Sequence, residues 1–400
     1  MIKQKYHIKT ANVMNGQKPF HFDLAKAFSP EMNPVRPKRF VHLILLSILM
    51  LFGVGQLNAQ VSETKEIIKG FSVEKSTIVD INNKYGDVTI ETWDKDSILV
   101  FIDYTITEKN YDKLKSRAEQ IHFELLRSGH YIVINTIISS SRNMLLSELI
   151  KLKETIGMAE AQVQINIKVF LPDNLDLRIK NKFGNVYIDN YKGDITLEMS
   201  NGKLKANNLS GYVNMQVSFG DVRINSIDSG SLEVYYSDMN LVSARKLRIT
   251  SKTSNITITE VTQMLVNSSR DDYRIRMITD FETESNWTDF LITEFKRKSD
   301  INMKYGDLTI ERINPGIEKI IIDARSTKIN LFFDKESDVN FDIITNRNMD
   351  LPLDAIIDSS ELLNDKERIM RYVGRTGEVG LAKPQLILNT SSADIKIFSR

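Results

Sequence analysis

Short apolar-x-apolar triplets recur along the chain behind a polar residue, and their spacing is regular. KYGDVTI at 84–90 returns as KFGNVYI at 182–188, SFGDVRI at 218–224 and KYGDLTI at 304–310, with degenerate copies between them. Aligned on the polar residue, the copies fall at Asn185, Lys203, Asp221, Asp238, Asn255, Asp272, Asp289 and Asp307, in steps of 18, 18, 17, 17, 17, 17 and 18. A fixed period of this length marks a repeat architecture. In each copy a pair such as Val186/Ile188, Val222/Ile224, Met239/Leu241, Ile256/Ile258 or Leu308/Ile310 alternates with a polar residue, the pattern of a strand with one buried and one wet face. A second apolar pair precedes each copy: Leu177/Ile179, Ile195/Leu197, Val213/Met215, Leu247/Ile249 and Met264/Val266.

One coil of this size cannot enclose a core, whereas stacked coils can, each strand pairing in parallel with its equivalent one rung away. The pattern therefore predicts a mainly β chain, a parallel β-solenoid of 17–18 residues per rung. An outer-membrane barrel also alternates, but its strands need about 9 to 11 residues, and these runs are nearer five. Gly86-Asp87, Gly184-Asn185, Gly220-Asp221 and Gly306-Asp307 are expected to be corner residues, glycine accepting positive φ and Asn or Asp tolerating it while bonding their own backbone.

A solenoid needs terminal elements that cover its open strand edges. Residues 97–107 alternate as a strand, Tyr111, Leu114, Ala118, Ile121 and Leu125 fall at helical spacing, and strands are expected at 131–138 and 163–171. Leu145, Leu149, Leu152 and Ile156 predict a second helix, and 359–373 a third. SSADIKIF near the end reads as a closing rung. The expected organisation is a leader at 1–59, a first rung with an α+β cap at 60–174, the repeats at 175–331, and a small C-terminal cap with the last rung at 332–400.

Charge and composition add the compartment. Residues 1–59 hold eight Lys/Arg and two Asp/Glu, leaving 45 basic against 50 acidic groups, so nucleic acid is not expected as a partner. Pro37-Lys38-Arg39, the apolar run from Phe40 to Val54 and Ala59 before Gln60 have the parts of a secretory signal peptide, with cleavage expected after Ala59 and a start at Met32 giving a leader of ordinary length. The apolar run is shorter than the roughly twenty residues that span a bilayer. The chain is thus expected to be exported to the periplasm, the outer-membrane surface or the medium, touching membrane only through an uncleaved leader. It has no cysteine, which removes disulfides, thiolate catalysis and cysteine metal sites.

NKYGDVTIETWDKDSI at 83–98, VFLPDNLDLRIKNKFGNVYIDNYKGDI at 169–195 and the later G-[DN]-apolar-x-apolar rungs resemble exported bacterial proteins of the putative adhesin family of unknown function. The resemblance covers most of 75–331 and the closing rung. It implies a β-solenoid in the cell envelope and brings no catalytic residue with it.

Candidate chemistry is sparse. His122 and His130 are the histidines outside the leader region; one is expected on the cap helix and the other beside a turn. The Asp/Asn column beginning at Asp87 offers oxygen ligands, but without the nine-residue pattern of calcium-binding rolls, so no metal or other cofactor is expected. The outward positions Tyr187, Lys205, Arg223, Asn240, Thr257, Arg274 and Thr309 show no paired carboxylates of a hydrolase. Two positions before the aligned residue runs an aromatic-rich column, Tyr85, Phe183, Phe219, Tyr236, Trp287 and Tyr305, broken by Asn201, Thr253 and Arg270. Facing inward or packed on the corner, these rings would be structural, and this is the reading expected. Facing solvent, Tyr85, Tyr236, Trp287 and Tyr305 would be ligand contacts suited to a glycan. The expected function is that of a non-enzymatic, adhesin-like binding or scaffolding module whose partner is a glycan or an envelope protein. A polysaccharide-active β-helix enzyme and a periplasmic signalling partner are the alternatives.

Overall fold

The computed structural model describes residues 8–9, 60–139, 162–335, 337–376 and 385–399. The chain winds as a parallel β-solenoid of about nine turns. Its regular rungs are β12 (Lys203–Ser218), β13 (Asp221–Tyr235), β14 (Asp238–Lys252), β15 (Asn255–Ser269) and β16 (Asp272–Asn286), continued by β17 (Asp289–Ile313) and β18 (Lys319–Phe333). Equivalent residues stack directly: Val222 on Met239, Met239 on Ile256, Ile256 on Tyr273 and Tyr273 on Phe290. Each rung thus uses the N–H and C=O groups of its neighbours, and backbone pairing is satisfied along the rod.

Each rung has two legs joined by a bend, and two apolar pairs and a bend column fill the interior. The two pairs visible in the sequence supply the legs, with Val222, Ile224, Leu232 and Val234 all buried in one rung. The bend column lies six residues after each aligned position: Tyr191, Leu209, Ile227, Ala244, Val261, Ile278, Phe295 and Ile313, all buried. This periodic signal is present in the sequence but was not among the expected ridges. The rungs of 18 residues place their extra residue at this bend, where register shifts separate Leu209 from Tyr212 and set the Ile278/Asp280 step of β16 against β17.

At the N-terminal end the early KYGD segment joins the stack across its long insertion. Val88 of β4 (Val88–Thr92) pairs with Val186 of β10 (Val186–Ile188) on one side and Ile167 of β8 (Gln162–Leu171) on the other. The stack then gives way to antiparallel pairing: β8 with β5 (Ser97–Glu108), β5 with β2 (Val61–Ser72), and β2 with the two-residue β1 (Ile8–Lys9). On the other leg, β3 (Ile78–Lys84) lies between β9 (Asp176–Lys182) and β7 (Tyr131–Ile138), and β7 forms a hairpin with β6 (Ile121–Ser128). Helix α1 (Tyr111–Ala118) starts at Asn110, whose side chain accepts the Lys113 N–H, and buries Leu114. The expected helix stops there. Ile121 and Leu125 belong to β6 because Ile138 and Ile134 of β7 claim them as cross-strand partners. His122 therefore sits exposed on a strand, and the expected helix around 145–156 lies outside the described residues.

The C-terminal end corrects two expectations. Residues 359–373 form no helix but most of a hairpin, β21 (Ala355–Asn364) and β22 (Ile369–Thr376), with β22 antiparallel to β19 (Asn340–Thr345). The last segment, β23 (Leu386–Ser391) and β24 (Asp394–Ser399), stacks on β18 as a true rung but does not end the rod. Beyond it lie β19, paired with β23, and β20 (Met349–Asp350), paired with β24. The final rung in sequence is an internal one in space.

Candidate binding surface at the aromatic corner

The sharp corner between rungs is built from one residue in the left-handed region. Tyr85, Phe183, Asn201, Phe219, Tyr236, Thr253, Arg270, Trp287, Tyr305, Ser326 and Ser392 all have φ between 52° and 65°. This is the aromatic-rich column, extended by two rungs. The glycines expected to supply positive φ are one position later, and of the four only Gly306 has it, at φ 108°.

The glycines serve a different need, which is room. A Cβ on Gly184 would lie 1.8 Å from the Gly86 carbonyl oxygen, one on Gly202 2.0 Å from that of Gly184, and one on Gly86 2.0 Å from that of Ile165. The position points inward against the backbone of the adjacent rung. In the middle of the rod the same position carries Ser237, Ser254, Asp271 and Thr288, all buried. There the side chain caps the adjacent rung: Ser237 Oγ accepts the Gly220 N–H at 3.0 Å, and Asp271 Oδ1 accepts the Ser254 N–H at 2.7 Å. Asp271 Oδ2 also accepts the hydroxyls of Ser251 and Ser268 at 2.8 and 2.6 Å and the Ser269 N–H at 3.0 Å. A buried carboxylate thus finds four neutral donors. Tyr273, whose hydroxyl is 2.6 Å from Ser251 Oγ, is buried beside it, and burial pushes its phenol well above the ordinary tyrosine range.

The Asp/Asn column is likewise inter-rung rather than local. Asp87 Oδ1 accepts the Asn185 N–H at 2.8 Å, Asn185 Oδ1 the Lys203 N–H at 3.0 Å, and Asp289 Oδ1 the Asp307 N–H at 2.8 Å. These side chains bond the next coil, not their own backbone. Among the described residues, no three His, Asp or Glu side chains cluster as metal ligands, and no helix is long and apolar enough to cross a membrane.

The rings of the column lie outside. Phe183, Phe219, Tyr236, Trp287 and Tyr305 are 49%, 59%, 46%, 60% and 39% exposed, and Tyr85 is half-buried, so of the structural reading the inward half is overturned and packing on the corner remains. They pack on one another along the rod: Tyr85 on Phe183 at 5.5 Å, Phe219 on Tyr236 at 5.1 Å and Trp287 on Tyr305 at 4.2 Å between centroids, with planes within 18°. Among the described residues no further ring stacks on the outer faces of the Phe219–Tyr236 and Trp287–Tyr305 pairs. Lys84, 4.7 Å above the Tyr85 ring, and exposed Lys182, Lys252 and Lys304 precede the column on one flank.

Of the outward positions, Tyr187, Lys205, Arg223, Asn240, Thr257 and Arg274 face solvent and Thr309 is half-buried. A shallow polar depression on this face is lined by Asp221, Arg223, Asp238, Asn240, Thr257 and Arg274. Two of its guanidinium groups are held by near neighbours, Arg223 by Asp221 at 3.1 Å and Arg274 by Asp272 at 2.8 Å. His130, at the β6–β7 turn, has its Nδ1 3.1 Å from Ser76 Oγ.

No family profile and no curated protein matches the chain. A solved crystal structure of a "putative cell adhesion protein" from Clostridium sporogenes is similar at 10% identity, covering 84% of this chain and 100% of that one, with a TM-score of 0.17. A likeness at that level carries no argument about this protein, and the solenoid rests on its own strand register.

Proposed function

We propose that the chain is an exported, non-enzymatic binding module of the cell envelope, and that the aromatic corner of its solenoid is the contact surface. The observation that carries this reading is a double cost at one column. A non-glycine residue in the left-handed region costs about 1–2 kcal/mol, and a β-solenoid corner could use glycine there at no such cost. A stacked pair returns about 0.5–1.5 kcal/mol, shared between two residues. The rings also leave apolar surface in water. Asn201, Thr253, Arg270, Ser326 and Ser392 share the same backbone position, so what sets the rings apart is apolar surface kept in water, and contact with a partner is the use we assign to it.

The leader-like residues before Ala59 and the resemblance of the KYGD rungs to exported adhesin-like proteins support the compartment. The first long cap strand begins at Val61, just after the expected cleavage point. Protease added to intact cells tests surface exposure: cleavage places the solenoid outside, and protection until the outer membrane is opened directs the search to periplasmic partners. Binding to isolated envelopes tests the surface. Trp287→Ala and Phe219→Ala are expected to weaken it at least about tenfold while changing stability by no more than about 1 kcal/mol. Unaltered binding in both variants, or a collapse of stability, would remove the aromatic corner from the proposal. The depression around Asp221, Asp238 and Arg274 is where a polysaccharide-active enzyme would have to work, and release of new reducing ends or unsaturated sugars from a glycan panel would favour that reading instead.

A further inference from the structure

The ring ladder has a gap one rung wide at Asn201, and we infer that this gap is a subsite for a single acidic sugar ring. The inference rests on the binding reading above and gives it a place and a ligand chemistry. On one side, Phe183 has one face covered by Tyr85, 5.5 Å away with planes 18° apart. On the other, Phe219 has one face covered by Tyr236, 5.1 Å away with planes 6° apart. The faces of Phe183 and Phe219 that bear no ring partner therefore lie on either side of the Asn201 rung, with the shorter Asn201 side chain between them. At about 4.8 Å per rung the flanking planes are roughly 10 Å apart. A ring placed midway would meet each phenylalanine at about the separation that the existing pairs already show.

The width admits a single ring: the stacked pairs already sit 5.5 and 5.1 Å apart, so a flat ring and a puckered pyranose would each meet both phenylalanines at that separation, and the choice between them falls to the polar groups beside the slot. The other gap, from Tyr236 past Thr253 and Arg270 to Trp287, spans three rungs, roughly 14 Å, and cannot grip a single ring from both sides.

The surroundings select charge. Exposed Asn201 floors the slot with an amide that both donates and accepts, matched to hydroxyl groups. Lys182 precedes Phe183 and Lys203 follows Asn201 by two residues, both exposed, and among the described residues neither ammonium has an ion-pair or hydrogen-bond partner. Asp221 is the register partner of Lys203; its Oδ2 is held by Arg223 Nη2 at 3.1 Å, while its buried Oδ1 has no hydrogen-bond partner. Two free cations beside one slot fit a carboxylate-bearing sugar better than a neutral one.

Calorimetric titration of the full chain with alginate, a polyuronate, and with dextran as the neutral probe tests this. Alginate is expected to bind and dextran not, with affinity falling as salt is raised. Asn201→Phe closes the slot with a ring that the corner already accepts in neighbouring rungs, and is expected to weaken alginate binding at least about tenfold, equivalent to about 1.4 kcal/mol. Lys182→Gln with Lys203→Gln is expected to do the same. Thr253→Phe, which adds a ring at the wider gap, should leave it within about twofold, well inside that same tenfold scale. Equal binding of dextran, unchanged binding by Asn201→Phe, or no binding of alginate overturns the subsite. If envelope binding still depends on Trp287 and Phe219 in that event, the broader reading survives; if both fail, both fall.

Discussion

Two stretches of one corner solve the same steric problem in opposite ways. From Gly86 to Gly220 the inward position has no side chain, and the adjacent carbonyl comes so close that none could be added at Gly86, Gly184 or Gly202. From Ser237 to Thr288 the position is filled by hydroxyls and a carboxylate that reach the N–H of the neighbouring rung. The left-handed residue is the same in both, with φ of 56° at Phe219 and 53° at Thr253. Backbone geometry is therefore set by the stacking of rungs, and side chains adapt to it by withdrawing or by hydrogen bonding. The glycine rungs tolerate no change of size, while the hydroxyl rungs tolerate size and depend on polarity.

The sharpest break in this comparison is Gly202→Ala. The added methyl meets backbone rather than a flexible side-chain end, so a loss of about 3 kcal/mol or more is expected, read as a lower urea midpoint; a loss below that of Ser254→Ala would show that the corner can widen. Next is Asp271→Ala, which strands the buried Ser254 N–H and the part-buried Ser269 N–H and leaves the hydroxyls of Ser251 and Ser268 with only Tyr273 and Thr288 as partners, and should cost about 2–4 kcal/mol. Ser254→Ala, which removes a single cap, should cost about 1 kcal/mol. Similar losses for the two would refute the view of Asp271 as the hub.

The smallest effect is a pH dependence confined to the polar stretch and its counterpart near the N-terminal end. Burial raises the phenol pKa of Tyr273 and Tyr191 in the folded state above the unfolded value of about 10. For a raised pKa the folded state holds the proton longer, so their stability contribution is intact below pH about 10 and is lost as pH rises beyond it. Denaturation at pH 8 and pH 11 should show a smaller alkaline loss for Tyr273→Phe than for the unmodified chain; an equal loss would place the alkaline sensitivity elsewhere.

The rung period, both leg pairs and most cap strands were legible because each imposes a repeated or alternating burial on adjacent side chains. The bend column was equally periodic and could have been found by carrying the alignment six residues forward to Leu209, Ile227 and Val261. The left-handed column could not. Tyr, Phe and Trp have no preference for positive φ, and the glycine beside them drew the assignment to itself, whereas the real constraint on Gly184 comes from a carbonyl 98 residues away, at Gly86. Residues 359–373 failed for a related reason. Glu361, Leu362, Leu363, Lys366 and Met370 favour helix locally, but β19 offers a strand edge to β22, and the long-range pairing prevails. Whether the rings faced in or out was a question of side-chain direction at that unforeseen φ, so the candidate surface was named without being placed.

The threading of the last rung carries a consequence for how the molecule is made. A chain that folds from its N-terminus forms β18 first, yet the strands that cover it lie after β19–β22 in chain order, and β19 waits beyond them for its parallel neighbour. Until residues 386–399 are available, β18 presents a bare strand edge of the kind that recruits stray chains. Loss of those few C-terminal residues would therefore not trim the rod; it would open a seam inside it.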